Sequence, residues 1–227
     1  MNRVSEEPVA VIDDDREQAQ AVSVLLDDAG FRSIVVSGPF IRVPDLVAAV
    51  RSNATAAICD HRLSSGGFAT FLGAEAVSQL IEAGVPAVLL TQFADTDSDV
   101  SIRRWRAHIP VVMSRADADP DRLLEAIAQT KDEMDGNIPV ARRAQRALLN
   151  IVGQEDVAGE TTFDVFVTQW RPHTAIRLPA SIIPAELRST LTVGSVVLAD
   201  VNIDAEDASE LYFKKFAPAP EPARLKR

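Results

Sequence analysis

Two short apolar runs in the first 60 residues end in carboxylates. Val9–Ile12 is followed directly by Asp13–Asp15, and Ala54–Cys59 is followed by Asp60. An apolar run without polar alternation is typical of a strand covered on both faces. If these strands are neighbours in a parallel sheet, their carboxylates meet at the carboxyl edge, where open α/β sheets bind ligands. Like charges that close need a cation, and Mg²⁺ prefers carboxylate oxygens. The first half of the chain is therefore predicted to be built around an acidic, metal-binding corner.

Periodic apolar residues in the first 135 positions predict five strands, each followed by a helix. The predicted strands cover 9–12, 32–36, 55–59, 87–90 and 109–113. The first three predicted helices cover 16–29, a segment that begins at Pro44, and 73–83. The fourth follows a polar loop at 95–99 and ends at Trp105, and the fifth begins at 119–120. Alternation of this kind indicates a parallel sheet with helices on both faces, here with the flavodoxin-like strand order 2-1-3-4-5. That order places Asp13, Asp14, Asp60 and Thr91 at one edge.

The pattern changes in the second half of the chain. A helix is predicted at 138–152, and short strands of alternating apolar residues follow from Thr161, as expected of a small antiparallel sheet or barrel. The predicted organisation is an α/β domain at 1–135, a linker helix at 136–157, a small β-rich, barrel-like domain at 158–217 and a disordered, proline-rich tail at 218–227.

Composition excludes several classes of protein. The single cysteine, Cys59, rules out an intramolecular disulfide and a cysteine-based metal cluster. The net charge of −10 resides entirely in residues 1–135, while residues 136–227 hold 11 basic and 11 acidic side chains, so nucleic-acid binding is not expected. No apolar run is long enough to span a bilayer, and the first residues lack the features of a signal peptide. We therefore expect a cytoplasmic protein that does not enter membranes.

Three segments carry a resemblance to a known family. Val9–Asp15, Ile58–Leu63 and Val88–Thr91 resemble the signature segments of response-regulator receiver domains, in the same order and within a five-fold βα pattern. The resemblance covers roughly the first 130 residues. It implies that Asp60 accepts a phosphoryl group and that Thr91 contacts this group and shifts on activation. It also implies that Mg²⁺ is held by the side chains of Asp13, Asp14 and Asp60 and by the backbone carbonyl of Arg62.

The chain departs from the receiver pattern in three places. Receiver domains normally carry a lysine just after the fifth strand, whereas the segment Val112–Ala116 has none, and Arg115 is the candidate replacement. Arginine is larger and forked, so this exchange is not neutral. Ser64 stands where a proline is usual, and the loop after Asp60 is longer than in the family. These departures favour an alternative, a pseudo-receiver that acts as a phosphorylation-independent interaction scaffold.

The resemblance predicts a two-component response regulator within a phosphorelay. A histidine kinase or phosphotransfer protein would phosphorylate Asp60, and the C-terminal domain would signal by binding an effector protein. Such a chain is a regulatory phosphoprotein rather than a turnover enzyme. Related receivers often form homodimers through the face of the fourth and fifth strands. A phosphohydrolase using the same carboxylates and a transcription factor are the less favoured alternatives. His61 is expected to face solvent, and the arginines of 103–106 are expected on a solvated helix face or paired with the nearby aspartates.

Overall fold

A computed structural model describes residues 5–92, 98–157, 159–171 and 173–220, and the described residues form two compact units. The described residues of the first unit are 5–92 and 108–138, and those of the second are 98–107, 139–157, 159–171 and 173–220. Within the described ranges, every helix is too short or too polar to cross a lipid bilayer.

The first unit is built on a five-stranded parallel sheet. Its strands are β1 (Ser5–Ile12), β2 (Phe31–Val35), β3 (Ala56–Asp60), β4 (Ala87–Thr91) and β5 (Val112–Ser114). They pair in the order β2-β1-β3-β4-β5, and every pairing is parallel. The predicted flavodoxin-like strand order is therefore confirmed.

Among the described residues of this unit, four α-helices connect the strands or follow them, and their ends match the local sequence signals. They are α1 (Arg16–Asp28), α2 (Val43–Arg51), α3 (Gly73–Glu82) and α4 (Pro120–Met134). The Asp15 carboxylate accepts hydrogen bonds from two backbone amides in the first turn of α1, as an N-cap does. Asp119 caps α4 in the same way, and prolines occupy the first turns of α2 and α4, where their missing N–H groups cost nothing.

Apolar side chains from the central strands and from α1 and α4 form one core on this sheet. The fully buried members include Val11, Leu26, Ile58, Leu90 and Leu123. The buried part of β1, from Val9 to Ile12, and the strands β3 and β4 are continuously apolar up to the sheet edge, as expected of strands covered on both faces.

The second unit contains an antiparallel five-stranded sheet. Its strands are β6 (Gln145–Val157), β7 (Glu160–Val167), β8 (Ala175–Pro179), β9 (Val196–Val201) and β10 (Phe213–Pro218), in the order β10-β9-β6-β7-β8. A short helix, α5 (Ala185–Arg188), lies between β8 and β9 in sequence. The predicted small β domain is thus a sheet with β10 and β8 at its edges, rather than a closed barrel, within the described residues.

The predicted linker helix at 138–152 is wrong. Residues 140–142 form a single 3₁₀ turn, and β6 begins at Gln145. Ala147, Leu149 and Ile151 are buried on one face of the sheet, which is the two-residue period of a strand. A helical period would place Leu148 and Ile151 on one face, but pairing of β6 with both β7 and β9 determines which residues are buried.

The helix predicted to end at Trp105 is also wrong. The chain forms a π-helical turn at Ser98–Ile102 and a 3₁₀ turn at Arg106–His108. Residues 98–107 belong to the second unit, although in sequence they lie within the predicted first domain. The predicted polar loop at 95–99 lies largely outside the described residues, as do positions 221–227 of the predicted disordered tail.

Segment 98–107 is an integral part of the second unit. Ser98–Ile102 packs against β8, and Ile102 is buried. The Arg103 guanidinium, 2% exposed, donates hydrogen bonds of 2.9 to 3.1 Å to the backbone carbonyls of Ala208 and Leu211. Arg106 is 5% exposed, so the expected solvated face is wrong for both arginines. The Arg103 guanidinium satisfies loop carbonyl groups inside the fold.

Candidate functional site

Strand register brings the predicted site residues together. Ile12 on β1 pairs with Cys59 on β3, so the next residues, Asp13 and Asp60, leave the sheet side by side. One strand further, Asp60 pairs with Leu90, which precedes Thr91. Each side chain therefore reaches the same carboxyl edge because its apolar strand ends there, as predicted from the sequence.

Arg115 enters the same edge from β5. Thr91 pairs with Ser114, the last residue of β5, and Arg115 follows it directly. One guanidinium nitrogen of Arg115, Nη2, donates to Asp13 Oδ2 at 2.7 Å and to Asp60 Oδ1 at 2.5 Å. The Arg115 side chain is 16% exposed, and the two carboxylates are 3% and 11% exposed. The candidate lysine replacement therefore bridges two of the predicted metal-binding carboxylates in a largely dry environment.

Backbone amides hold the remaining carboxylate oxygens. The amide of Asp15 donates to Asp13 Oδ1 at 2.9 Å, and that of Arg62 donates to Asp60 Oδ2 at 2.7 Å. The amide of Ser65, in the long loop after β3, donates to Asp14 Oδ2 at 2.5 Å. Each of the three predicted metal-binding carboxylates thus accepts at least one donor from the chain itself.

These groups line a cleft of about 220 Å³. Its walls include the three aspartates together with Arg62, Thr91 and Arg115. Thr91 is the last residue of β4 and is 1% exposed. All six residues predicted for the site therefore lie around one cleft of the first unit.

The pKa values of two groups at this edge respond to burial in opposite ways. Burial raises the pKa of Asp13, and the hydrogen bonds from the Asp15 amide and Arg115 offset only part of that rise. Burial alone would lower the pKa of the Arg115 guanidinium, but its hydrogen bonds to Asp60 and Asp13 raise it above the ordinary value. Arg115 is therefore charged at every physiological pH.

The donor set suits a hard divalent cation. Asp13, Asp14 and Asp60 each offer a carboxylate oxygen, and these three atoms lie within 4.8 Å of one another. Mg²⁺ takes its protein ligands as oxygens, commonly from one or two carboxylates. By its chemistry the site therefore fits the predicted ion, while Arg115 already neutralises part of the same charge.

Sequence reasoning missed two features of this edge. Gly73, the first residue of α3, approaches the end of β3 so closely that an added Cβ would lie 1.8 Å from the carbonyl oxygen of Asp60. His61 was expected to face solvent but is 1% exposed, because its backbone amide donates to the Leu90 carbonyl and continues the β3–β4 pairing. The close approach was signalled in the sequence by a glycine at the start of a predicted helix. The burial of His61 had no signal in the sequence.

Comparison with known proteins gives matches only among solved structures. No family model matches the chain, and no curated protein matches it. The receiver domain of a modulated diguanylate cyclase from Desulfovibrio desulfuricans G20 is 16% identical with a TM-score of 0.47, over 59% of this chain and 100% of that one. A response regulator receiver domain protein from Methanospirillum hungatei JF-1 is 18% identical with a TM-score of 0.44, over 59% and 100%. One from Clostridium thermocellum is 14% identical with a TM-score of 0.44, over 58% and 99%.

The strand order decides the fold. The first unit has a flavodoxin-like fold. Its sheet runs β2-β1-β3-β4-β5, and its acidic cleft lies at the carboxyl ends of β1 and β3, the point where this strand order reverses.

Proposed function

We propose that this chain is a two-component response regulator in which Asp60 accepts a phosphoryl group. The observation that carries the proposal is the convergence of Asp13, Asp14 and Asp60 at one sheet edge, with oxygens within 4.8 Å, in a cleft also lined by Thr91. A carboxylate can serve as the nucleophile of phosphoryl transfer and form an acyl phosphate. The reaction asks mainly for positioning and for neutralisation of charge.

In the proposed step, a carboxylate oxygen of Asp60 forms a bond to phosphorus while the bond between phosphorus and the donor's leaving atom breaks. That leaving atom is a histidine nitrogen in a phosphorylated kinase or phosphotransfer protein, or an acetate oxygen in acetyl phosphate. Bound Mg²⁺, held by Asp13, Asp14, Asp60 and the backbone carbonyl of Arg62, would offset the charge of the phosphoryl oxygens. The Arg62 amide, which donates to Asp60 Oδ2, fixes the orientation of the nucleophile.

Two residues would then respond to the new charge. Thr91 is the proposed hydroxyl contact of the phosphoryl group, and its place at the end of β4 supports this role. Arg115 supplies a positive charge from the end of β5. Its two carboxylate partners include the acceptor itself, so phosphorylation of Asp60 would alter an existing ion pair. Such a local change in charge can bias a two-state surface.

The second unit is proposed to bind an effector protein. Residues 136–227 are neutral overall, which supports a protein partner over nucleic acid. The cytoplasmic location and the homodimer through the β4–β5 face stay predictions from the sequence.

The test is to incubate the full chain with acetyl phosphate and Mg²⁺, or with beryllofluoride and Mg²⁺, and to measure intact mass and fluorine NMR. We expect a phosphoryl adduct that is absent in Asp60→Asn. Asp117→Asn is the matched control, because this carboxylate pairs with Arg122 at the surface of the same unit. Failure to form any adduct, or an adduct that persists in Asp60→Asn, would refute the proposal. In the first case partner binding that ignores both Mg²⁺ and Asp60→Asn would identify a phosphorylation-independent scaffold.

A further inference from the structure

Arg115 occupies the oxygens that a metal would need. Its Nη2 atom donates to one oxygen of Asp13 and to one oxygen of Asp60, and the other oxygen of each carboxylate accepts a backbone amide. All four oxygens of these two side chains therefore have donors from within the chain. A cation that takes Asp13 Oδ2 or Asp60 Oδ1 as a ligand must share that oxygen with the guanidinium or displace its hydrogen bond.

The long loop after β3 supplies the donor for the third carboxylate. Ser65 donates its amide to Asp14 Oδ2, and the loop is fixed on the other side by Phe68. The Phe68 ring packs edge-on against the Phe40 ring, with centroids 5.7 Å apart. The backbone carbonyl of Phe68 accepts a hydrogen bond of 2.7 Å from the Phe40 amide. The loop is therefore anchored both at Ser65 and at Phe68.

We infer that Arg115 is a built-in counter-cation that competes with the divalent metal for Asp13 and Asp60. The inference rests on the proposed metal site and adds a regulator to it. A guanidinium is charged at every working pH and can hold two acceptors at once, whereas an ammonium is a compact point charge. Repulsion between this fixed charge and an incoming dication in a site that is only 3 to 16% exposed would weaken metal binding. This repulsion favours withdrawal of Arg115 from at least one carboxylate when a metal enters, so ion binding and displacement of the Arg115 side chain are coupled.

The test measures metal affinity directly and does not depend on phosphorylation. Mn²⁺ is titrated into the full-length wild type, Arg115→Gln and Arg115→Lys, and free Mn²⁺ is followed by electron paramagnetic resonance. We expect Arg115→Gln to bind Mn²⁺ at least about tenfold more tightly than the wild type, since one opposing charge is gone. Arg115→Lys should fall between them. Arg122→Gln is the matched control and should bind as the wild type does, because Arg122 is exposed and pairs with Asp117 outside the cleft.

A second measurement uses the unaltered protein, in case removal of Arg115 impairs folding. Side-chain nitrogen NMR of the Arg115 guanidinium should shift as Mg²⁺ is added, with the same midpoint as metal binding. Equal or weaker Mn²⁺ binding by Arg115→Gln, or an Arg115 signal unmoved by saturating Mg²⁺, would overturn the inference. Absence of metal binding in the wild type and in Arg115→Gln would overturn the proposed metal site as well. Metal binding of equal strength in both proteins would overturn the inference alone.

Discussion

Replacement of Gly73 by alanine tests how closely α3 must approach the proposed phospho-acceptor. The added Cβ would lie 1.8 Å from the Asp60 carbonyl oxygen, 2.8 Å from the Asp60 carbonyl carbon and 3.0 Å from His61 Cα. All three are backbone atoms, so no side-chain rotation relieves the clash. Even a tight contact of 3.0 Å requires the start of α3 and the end of β3 to separate by about 1.2 Å.

That displacement should be felt in both stability and site geometry. Overpacking of a well-packed core costs about 1–3 kcal/mol, and occasionally more. The separation also strains the hydrogen bond of 2.8 Å from the Gly73 amide to the His61 carbonyl. Because Asp60 sits at the moving end of β3, its 2.5 Å contact with Arg115 and its share of the proposed metal site should be lost in part.

The assay is urea unfolding of the full chain, followed by hydrogen exchange of β3 and β4 amides, together with Mn²⁺ titration. Gly84→Ala is the matched control beyond the other end of α3. There an added Cβ meets no atom within 4 Å, and only the positive φ of 84° is penalised, by about 1–2 kcal/mol. We expect Gly84→Ala to lower the free energy of unfolding without changing Mn²⁺ affinity. We expect Gly73→Ala to lower both the free energy of unfolding and the Mn²⁺ affinity. A Gly73→Ala protein with wild-type stability and wild-type Mn²⁺ affinity would refute the argument from close approach.

Three further predictions concern other buried groups. Arg103→Met should speed hydrogen exchange of the β10 amides by the equivalent of about 2–4 kcal/mol, because the carbonyls of Ala208 and Leu211 lose a charged donor. The control Arg104→Gln alters an exposed neighbour and should cost at most about 1 kcal/mol. Equal effects of the two variants would contradict this account. Burial raises the pKa of the Cys59 thiol well above its ordinary value. This cysteine should therefore resist alkylation at neutral pH until the chain is unfolded, as followed by mass spectrometry. Rapid labelling of the native protein would show that Cys59 is not buried. Because the pKa of Asp13 is raised in the folded state, its stabilising contribution is complete below its unfolded value of about 4 and is lost as the pH rises through the folded value. Urea titrations should therefore show wild type gaining stability relative to Asp13→Asn as pH falls from neutrality toward 4, and a constant difference would reject the assigned shift.

Part of the proposed site could be predicted from the sequence because parallel sheets follow a simple rule. An apolar strand that ends in a carboxylate delivers that carboxylate to the carboxyl edge, whatever the details of packing. Asp13, Asp14, Asp60 and Thr91 were located on this basis, and all of them line the cleft. The bridging geometry of Arg115 could not be predicted, because it depends on the register between β4 and β5 and on the rotamer of a long side chain.

The second half of the chain was harder to predict for a different reason. Residues 145–157 carry apolar side chains that satisfy both helical and strand periods over a short window, so local pattern did not separate the two. Hydrogen bonding of β6 on both sides, to β7 and β9, makes it the central strand of its sheet. Likewise, nothing local indicates that segment 98–107 joins the second unit, since its partners Ala208 and Leu211 lie more than a hundred positions away.

The amino-acid sequence alone determined the five strands of the first unit and its helices α1 to α4, the caps of α1 and α4, and the position of each carboxylate at the end of its strand. These features depend on backbone periodicity and on residues a few positions apart, so they are encoded locally. Only the tertiary structure decided that Arg115 bridges Asp13 and Asp60, that Gly73 must lack a side chain, and that Arg103 is enclosed in the second unit. Those outcomes arise from contacts between residues far apart in sequence, whose distances are set when strands pair and side chains compete for the same buried space.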